Sequence, residues 1–118
     1  MTRKELQEEY KNMKFRMGVF QIRNLVNGKI YIEGSSNLDK IWNRHLTELN
    51  FGGHRNSELQ KDWKAYGEQS FVYEILDELK VEEGSNSDFK KEIKMLEQMY
   101  LDELQPFGDK GYNTKPAV

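Results

Sequence analysis

Alternating apolar and polar residues predict a β-hairpin near the start of the chain. Residues 19–22 (VFQI) and 29–32 (KIYI) flank the dipeptide Asn27-Gly28. Asparagine and glycine both tolerate the positive φ angles that a two-residue type I′ turn requires. The sequence therefore predicts two antiparallel strands joined by a tight turn at Asn27-Gly28.

Three later segments carry apolar residues at helical spacing. The first begins after the capping residue Asn37 and runs to about residue 50, where Phe51-Gly52-Gly53 ends it. The second spans residues 56–66 and the last spans residues 88–104. The residues expected to face inward are Leu38, Ile41, Trp42, His45, Leu46, Leu49, Leu59, Trp63, Ile93, Leu96, Tyr100, Leu101 and Leu104.

Three further segments complete the predicted order of elements. Residues 2–14 indicate a charged amphipathic helix, because Thr2 and Glu5 have the spacing of a capping box. Residues 71–76 are predicted to form a third strand, and residues 81–87 a polar loop. The order αββααβα predicts an α/β (α+β) domain with a small three-stranded, mainly antiparallel sheet flanked by helices.

Length and composition fit one intracellular domain. We expect a single domain over residues 1–118, with an N-terminal helical extension over residues 1–16 and a core over residues 17–114. The chain has no cysteine, no apolar signal core at its start and no run near the ~20 apolar residues that span a bilayer. We therefore expect a soluble cytoplasmic protein without a membrane partner.

The charge balance bears on nucleic-acid binding. The 18 basic side chains nearly match the 20 acidic ones, which gives a net charge of −2. Proteins that bind nucleic acid on their own usually carry a basic excess, because contacts to phosphates supply most of the non-specific affinity. Tight autonomous DNA binding is therefore not expected, although a local basic face remains possible on these numbers.

An ordered set of short motifs resembles the GIY-YIG endonucleases. Gly18-Val19-Phe20, eleven residues before Tyr31-Ile32-Glu33, is similar to the paired motifs that give the family its name. The matches continue in order through most of the chain and resemble phage and intron-homing members. They are Asn37-Leu38, residues 42–45, His54-Arg55-Asn56, Leu59-Gln60, Trp63, Tyr66-Gly67, Phe71, Glu97 and Gly111-Tyr112-Asn113.

The resemblance implies hydrolysis of DNA phosphodiester bonds around one divalent cation, Mg²⁺ or Mn²⁺. It assigns Glu97 to the metal and Tyr31 to a place beside the attacking water. Such chemistry needs a cation, a fixed hydrogen-bond donor and a proton acceptor, because negative charge develops on oxygen. The remaining matched site positions are the helix histidine His45, the later histidine His54 and the closing asparagine Asn113.

Three positions depart from the family pattern. Phe20 replaces the first-motif tyrosine, Glu33 replaces the second-motif glycine, and Ile41 replaces the catalytic arginine. Loss of one transition-state donor typically lowers a rate by ~10²–10³, and a carboxylate near the phosphate repels it. Two rescues are open: Arg44, one turn beyond Ile41, could reach the phosphate, or a one-residue slip could align Gly34 with the family glycine and make Glu33 a bulge.

These residues leave several interpretations open. Tyr31 also fits a packing aromatic, His45 a core histidine, and Glu97 a partner in an ion pair. Our leading hypothesis is a GIY-YIG domain with a degenerate site, weak or absent cleavage, and a cleft for nucleic acid, a nucleotide-like ligand or a protein partner. The alternatives are an active metal-dependent DNA endonuclease and a protein-interaction module, such as an inhibitor of a nuclease or of host defence. Whether the chain is an enzyme therefore stays open.

Overall fold

A three-stranded antiparallel sheet forms the centre of the domain. The computed structural model describes residues 16–79 and 89–114. Strand β1 (Gly18–Asn24) lies between β2 (Ile30–Ser35) and β3 (Phe71–Glu78) and pairs antiparallel with both. The predicted α+β class with a small antiparallel sheet is confirmed.

Three helices pack on this sheet. They are α1 (Leu38–Phe51), α2 (Ser57–Tyr66) and α3 (Phe89–Leu104). Asn37 caps α1 by accepting a hydrogen bond from the backbone N–H of Lys40, and Gly52 ends that helix in the left-handed conformation at φ 82°. The bounds agree with the sequence prediction to within two residues at each end. None of these helices, within residues 16–79 and 89–114, is both long and apolar enough to cross a membrane.

Two predicted segments lie outside the described residues. These are the N-terminal helix over residues 2–14 and the polar loop over residues 81–87. The division into an extension over residues 1–16 and a core over residues 17–114 therefore stays a prediction.

The predicted hairpin is present, but the prediction of a two-residue turn is wrong. Five residues connect β1 to β2, and Gly28 has positive φ whereas Asn27 does not. Asn24 closes this longer loop, because its carbonyl accepts from the N–H of Gly28 and its buried side chain accepts from the N–H of Val26. A side-chain-capped loop of this kind replaces the two-residue type I′ turn.

The main core lies on the sheet face that contacts α1 and α2. Apolar side chains from β1, β3 and both helices meet there around fully buried Phe20. Helix α3 approaches the opposite face, where buried Ile93 contacts the backbone of Gly34. The predicted inward residues of α3 are buried or half-buried except Leu104, which is 38% exposed at the end of the helix. The core cluster contains Phe20, Ile22, Tyr31, Leu38, Leu49, Leu59, Trp63, Phe71 and Tyr112.

Candidate active site

Strand β2 carries the two residues around which the site is arranged. Side chains alternate along a strand, so Tyr31 and Glu33 point to the same face, toward α1. The pairing with β1 is continuous, with Phe20 opposite Glu33 and Val19 opposite Gly34. Glu33 is therefore an ordinary strand residue, and the one-residue slip considered above is wrong.

A chain of short hydrogen bonds runs from α2 through two histidines to Glu33. The N–H of Asn56, the cap of α2, lies 3.0 Å from Nδ1 of His54. His54 Nε2 lies 2.7 Å from His45 Nδ1, and His45 Nε2 lies 2.6 Å from Oε2 of Glu33. Both histidines are almost fully buried, at 2% and 7% exposure for His45 and His54.

The backbone of Asn56 fixes the direction of every bond in this chain. A peptide N–H only donates, so Nδ1 of His54 accepts and the ring carries its proton on Nε2. His54 then donates to Nδ1 of His45, and His45 in turn donates from Nε2 to the carboxylate of Glu33. Burial lowers the pKa of His54 below its ordinary value, and the charge of the neighbouring His45 adds to this effect. Each ring in this chain therefore carries a proton on Nε2 and none on Nδ1, with Glu33 as the terminal acceptor.

Charges of both signs act on the hydroxyl of Tyr31. Burial raises the pKa of this phenol most, and the nearby negative charge of Glu33 raises it further. The positive charge of Arg55 opposes these effects, and Glu97 adds to them. The charges that act on Tyr31 therefore come from a strand (Glu33), a loop (Arg55) and a helix (Glu97).

Glu97 reaches β2 from the side of α3. Its Oε2 accepts a 2.8 Å hydrogen bond from the backbone N–H of Gly34. A Cβ at Gly34 would lie 3.1 Å from the same oxygen and 2.5 Å from Ile93, so glycine permits the close approach. A carboxylate has about four lone-pair sites, and the bond to Gly34 uses one. Hard divalent cations prefer such oxygen ligands, so Glu97 fits the metal position that the resemblance implies.

The two arginines near the site differ in their surroundings. Arg44 lies on the exposed side of α1 and forms an ion pair with Glu48 at 3.2 Å. Arg55 is also exposed, but within residues 16–79 and 89–114 its guanidinium makes no hydrogen bond or ion pair. It lines an open cleft of about 610 Å³ together with Tyr31. Ile41 packs half-buried against the core.

The closing motif attaches the end of the domain to β2. Asn113 makes two hydrogen bonds to the backbone of Ile32, donating 2.8 Å to its carbonyl and accepting 2.9 Å from its N–H. Tyr112 donates its backbone N–H to the carbonyl of Ile30. The side chain of Asn113 is thus engaged with the strand, although the residue also lines the cleft. In this geometry Asn113 positions β2 beside the cleft.

Phe20 closes the floor of the site. It is fully buried, and its ring meets His45 edge-on with 5.5 Å between centroids. Because the phenylalanine lies in a dry core, the missing tyrosine hydroxyl leaves no unpaired polar group there. This departure from the family pattern is compatible with an intact site.

Comparison with known proteins agrees with this arrangement. Over 67 residues the chain is 33% identical to intron-associated endonuclease 1 of Enterobacteria phage T4. This aligned region covers 57% of the chain. Two solved structures of the catalytic domain of the intron endonuclease I-TevI superimpose with TM-scores of 0.71 and 0.69 at 29% identity. They cover 88% and 85% of the chain and 98% and 99% of those domains. No protein-family model matches the chain.

The chain is homologous to I-TevI and shares its GIY-YIG catalytic-domain fold. It spans 27% of the length of the phage endonuclease. The structure brings Tyr31, His45 and His54 together beside β2, and Glu97 reaches the same strand at Gly34. Arg44 is not among the charges that act on Tyr31.

Sequence reasoning missed Arg55 as a site residue. The sequence contains it within the motif His54-Arg55-Asn56, where we weighed only the histidine. The search for a cation followed the family pattern along α1, because that helix carries the family arginine. The usable signal was position: a residue between a site histidine and a helix cap must lie at the rim of the site.

Proposed function

We propose that this GIY-YIG domain binds DNA phosphodiesters at the cleft beside Tyr31 and hydrolyses them slowly with a divalent cation at Glu97. The observation that carries the proposal is that the charges of Arg55, Glu33 and Glu97 all act on Tyr31, which lines the cleft together with Arg55. A cation, carboxylates and a hydroxyl are the groups that phosphodiester hydrolysis requires. The homology to an intron-associated endonuclease supports the same reading.

Each charged group has a distinct role in this proposal. Glu97 holds Mg²⁺ or Mn²⁺, which when bound neutralises charge on the phosphate oxygens. Arg55 donates to the same phosphate, since it lines the cleft with Tyr31 and its guanidinium has no hydrogen-bond or ion-pair partner among residues 16–79 and 89–114. Arginine suits phosphate because its planar guanidinium presents several donors in a fork.

We attribute slow cleavage to Ile41, which cannot carry the charge of the family arginine. Removal of one such donor costs ~10²–10³ in rate, and Arg55 restores a cation from a different direction. The net charge of −2 also makes binding weak and sensitive to salt. The site is thus degenerate in the sense that cleavage is slow and binding is weak, although its hydrogen-bonding groups are retained.

A cleavage assay tests the proposal. Purified protein is incubated with supercoiled plasmid DNA, and separately with RNA, in Mg²⁺ or Mn²⁺, beside a Glu97→Ala control. Slow nicking of DNA that requires metal and disappears in the control is the expected result. Absence of nicking at high enzyme concentration and long incubation, with a folded protein, would overturn the proposal.

A binding assay tests the place of the phosphate. Affinity for a DNA duplex is measured against salt for Arg55→Ala, Arg44→Ala and Lys64→Ala, which each remove one positive charge. Lys64 lies at the opposite end of α2 from Arg55 and serves as the charge control. We expect Arg55→Ala to weaken binding and to lower the salt slope by about one unit. An equal loss in Lys64→Ala, or a larger loss in Arg44→Ala, would contradict the cleft beside Tyr31.

A further inference from the structure

Glu33 stands at the end of a hydrogen-bond chain, at a position where the family pattern has glycine. Every donor in the chain points toward it, from the N–H of Asn56 through His54 and His45. The Glu33 side chain is 21% exposed, whereas that of His45 is 3% exposed, so the carboxylate is the end of the chain that reaches solvent.

Tyr31 is poorly suited to accept a proton here. Burial and the negative charges of Glu33 and Glu97 raise the pKa of its phenol above the ordinary value, more than Arg55 lowers it. A phenol in these surroundings keeps its proton and acts as a hydrogen-bond donor. The carboxylate of Glu33 lies on the same face of β2, two residues along the strand.

A metal ion between the histidines would give Glu33 a different meaning, and the structure disfavours it. Donor atoms of His45, Glu48 and His54 lie within 4.8 Å of one another, which is compatible with a metal cluster. A histidine nitrogen must be free of its proton to bind a metal. The amide of Asn56 occupies Nδ1 of His54, so the proton of that ring stays on Nε2, the atom that faces the cluster.

We propose that Glu33 is the proton acceptor of this site, and that His45 and His54 are positioning residues that hold its carboxylate. This role rests on the proposed hydrolysis. As the water oxygen bonds to phosphorus, one water proton passes to the carboxylate of Glu33. The bond from phosphorus to the leaving oxygen breaks with its electron pair, and that oxygen takes a proton from solvent. Glu33 returns its proton to solvent before the next turnover.

The glycine of the family pattern provides a test whose sign separates two explanations. Nicking rates are compared for wild type, Glu33→Gly, Glu33→Gln, Glu33→Asp and Tyr31→Phe, with folding checked by circular dichroism. A proton acceptor typically contributes ~10²–10⁴ in rate, so Glu33→Gly and Glu33→Gln should both lose activity to that extent. They should also lose the acidic limb of the pH–rate profile, whereas Glu33→Asp and Tyr31→Phe keep the limb.

The outcomes separate this role from the proposed function. If wild type nicks DNA and Glu33→Gly nicks equally fast or faster, Glu33 is a defect of the site and its role as acceptor is overturned. Loss of the acidic limb in Tyr31→Phe instead would assign the proton to the tyrosine. Wild-type protein that nicks nothing overturns the proposed function, and the role of Glu33 fails with it.

A second measurement reads the hydrogen-bond chain without activity or metal. The protein contains two histidines in all, so ¹⁵N NMR of the imidazoles gives two assignable rings. We expect an unprotonated Nδ1 and a protonated Nε2 in both rings at neutral pH. Glu33→Gly should shift the Nε2 resonance of His45 strongly and that of His54 less. A protonated Nδ1 on His54 would contradict the chain of donors that holds Glu33.

Discussion

The Nε2 atom of His45 lies 2.6 Å from Oε2 of Glu33 and joins helix α1 to strand β2 across the site. One of these residues matches the GIY-YIG pattern and the other departs from it. The sequence alone suggested that a carboxylate at this position would repel a phosphate. The structure supplies the carboxylate with a buried hydrogen-bond donor, Nε2 of His45.

The contact between Glu33 and His45 should appear as a coupling in stability. A double-mutant cycle with Glu33→Gln, His45→Gln and the double variant isolates the pair. Because a hydrogen bond to a charged group contributes ~1.5–3 kcal/mol, we expect a coupling of about that size in urea unfolding at neutral pH. A coupling near zero would show that the two side chains do not interact in solution.

The lowered pKa of His54 predicts a loss of stability in acid. The unfolded chain binds a proton near the ordinary histidine pKa of 6.5, whereas folded His54 binds it only at lower pH. Between these values the unfolded state holds more protons, so the free energy of unfolding falls as the pH falls. This contribution is fully present above pH 6.5 and is lost as the pH falls through the folded pKa.

A comparison of variants isolates this effect. Urea unfolding of wild type and His54→Gln is followed from pH 7.5 downward. We expect the wild-type free energy to decline more steeply below about pH 6.5. Parallel curves would mean that His54 titrates alike in the folded and unfolded states.

The sequence predicted the elements because each has a local cause. Periodic apolar residues and the cap Asn37 place α1, and Gly52 ends it with the positive φ that glycine accepts readily. The hairpin turn was missed because the loop depends on a tertiary contact. Buried Asn24 donates a hydrogen bond to Tyr112, which lies 88 positions away in the sequence. A local rule for Asn27-Gly28 does not contain that tertiary contact.

The sequence identified candidate site residues but not the hydrogen bonds between them. The order of the motifs grouped Tyr31, His45, His54 and Glu97 as candidates. This grouping was possible because the chain shares the fold of the I-TevI catalytic domain. The partner of Glu33 could not be read from the sequence, since it depends on how α1 sits over β2. Charge alone therefore did not reveal that Glu33 accepts a hydrogen bond from His45.

The close approach of α3 to β2 makes Gly34 sensitive to any side chain. A Cβ there would lie 2.5 Å from Ile93 and 3.1 Å from Oε2 of Glu97, and overpacking of this kind costs ~1–3 kcal/mol. Gly53 is the matched control, because its added Cβ meets nothing within 4 Å. We expect Gly34→Ala to lower the free energy of unfolding and Gly53→Ala to change it little or raise it slightly.

Metal binding provides a second reading of the same pair of variants. Gly34→Ala displaces the carboxylate of Glu97 from its bond to the backbone, so Mn²⁺ titration should show weaker binding than in Gly53→Ala. Equal stability and equal Mn²⁺ binding in the two variants would contradict the contact between α3 and Gly34. The comparison separates the steric effect from the general effect of adding a methyl group.

Replacement of Ile41 by arginine should increase cleavage. Ile41 is half-buried on α1, on the helix that also carries His45, and a long arginine can pack its stem there with its charged end in solvent. If the missing cation limits the rate, Ile41→Arg should raise nicking by ~10²-fold. Ile41→Leu controls for packing, and Ile41→Lys adds charge without the planar fork.

The combined variant Ile41→Arg/Arg55→Ala completes the set: activity above wild type would mean that the two arginines serve one phosphate from different directions. A folded Ile41→Arg variant that cleaves no faster than Ile41→Leu would instead show that Arg55 already supplies the positive charge the reaction uses.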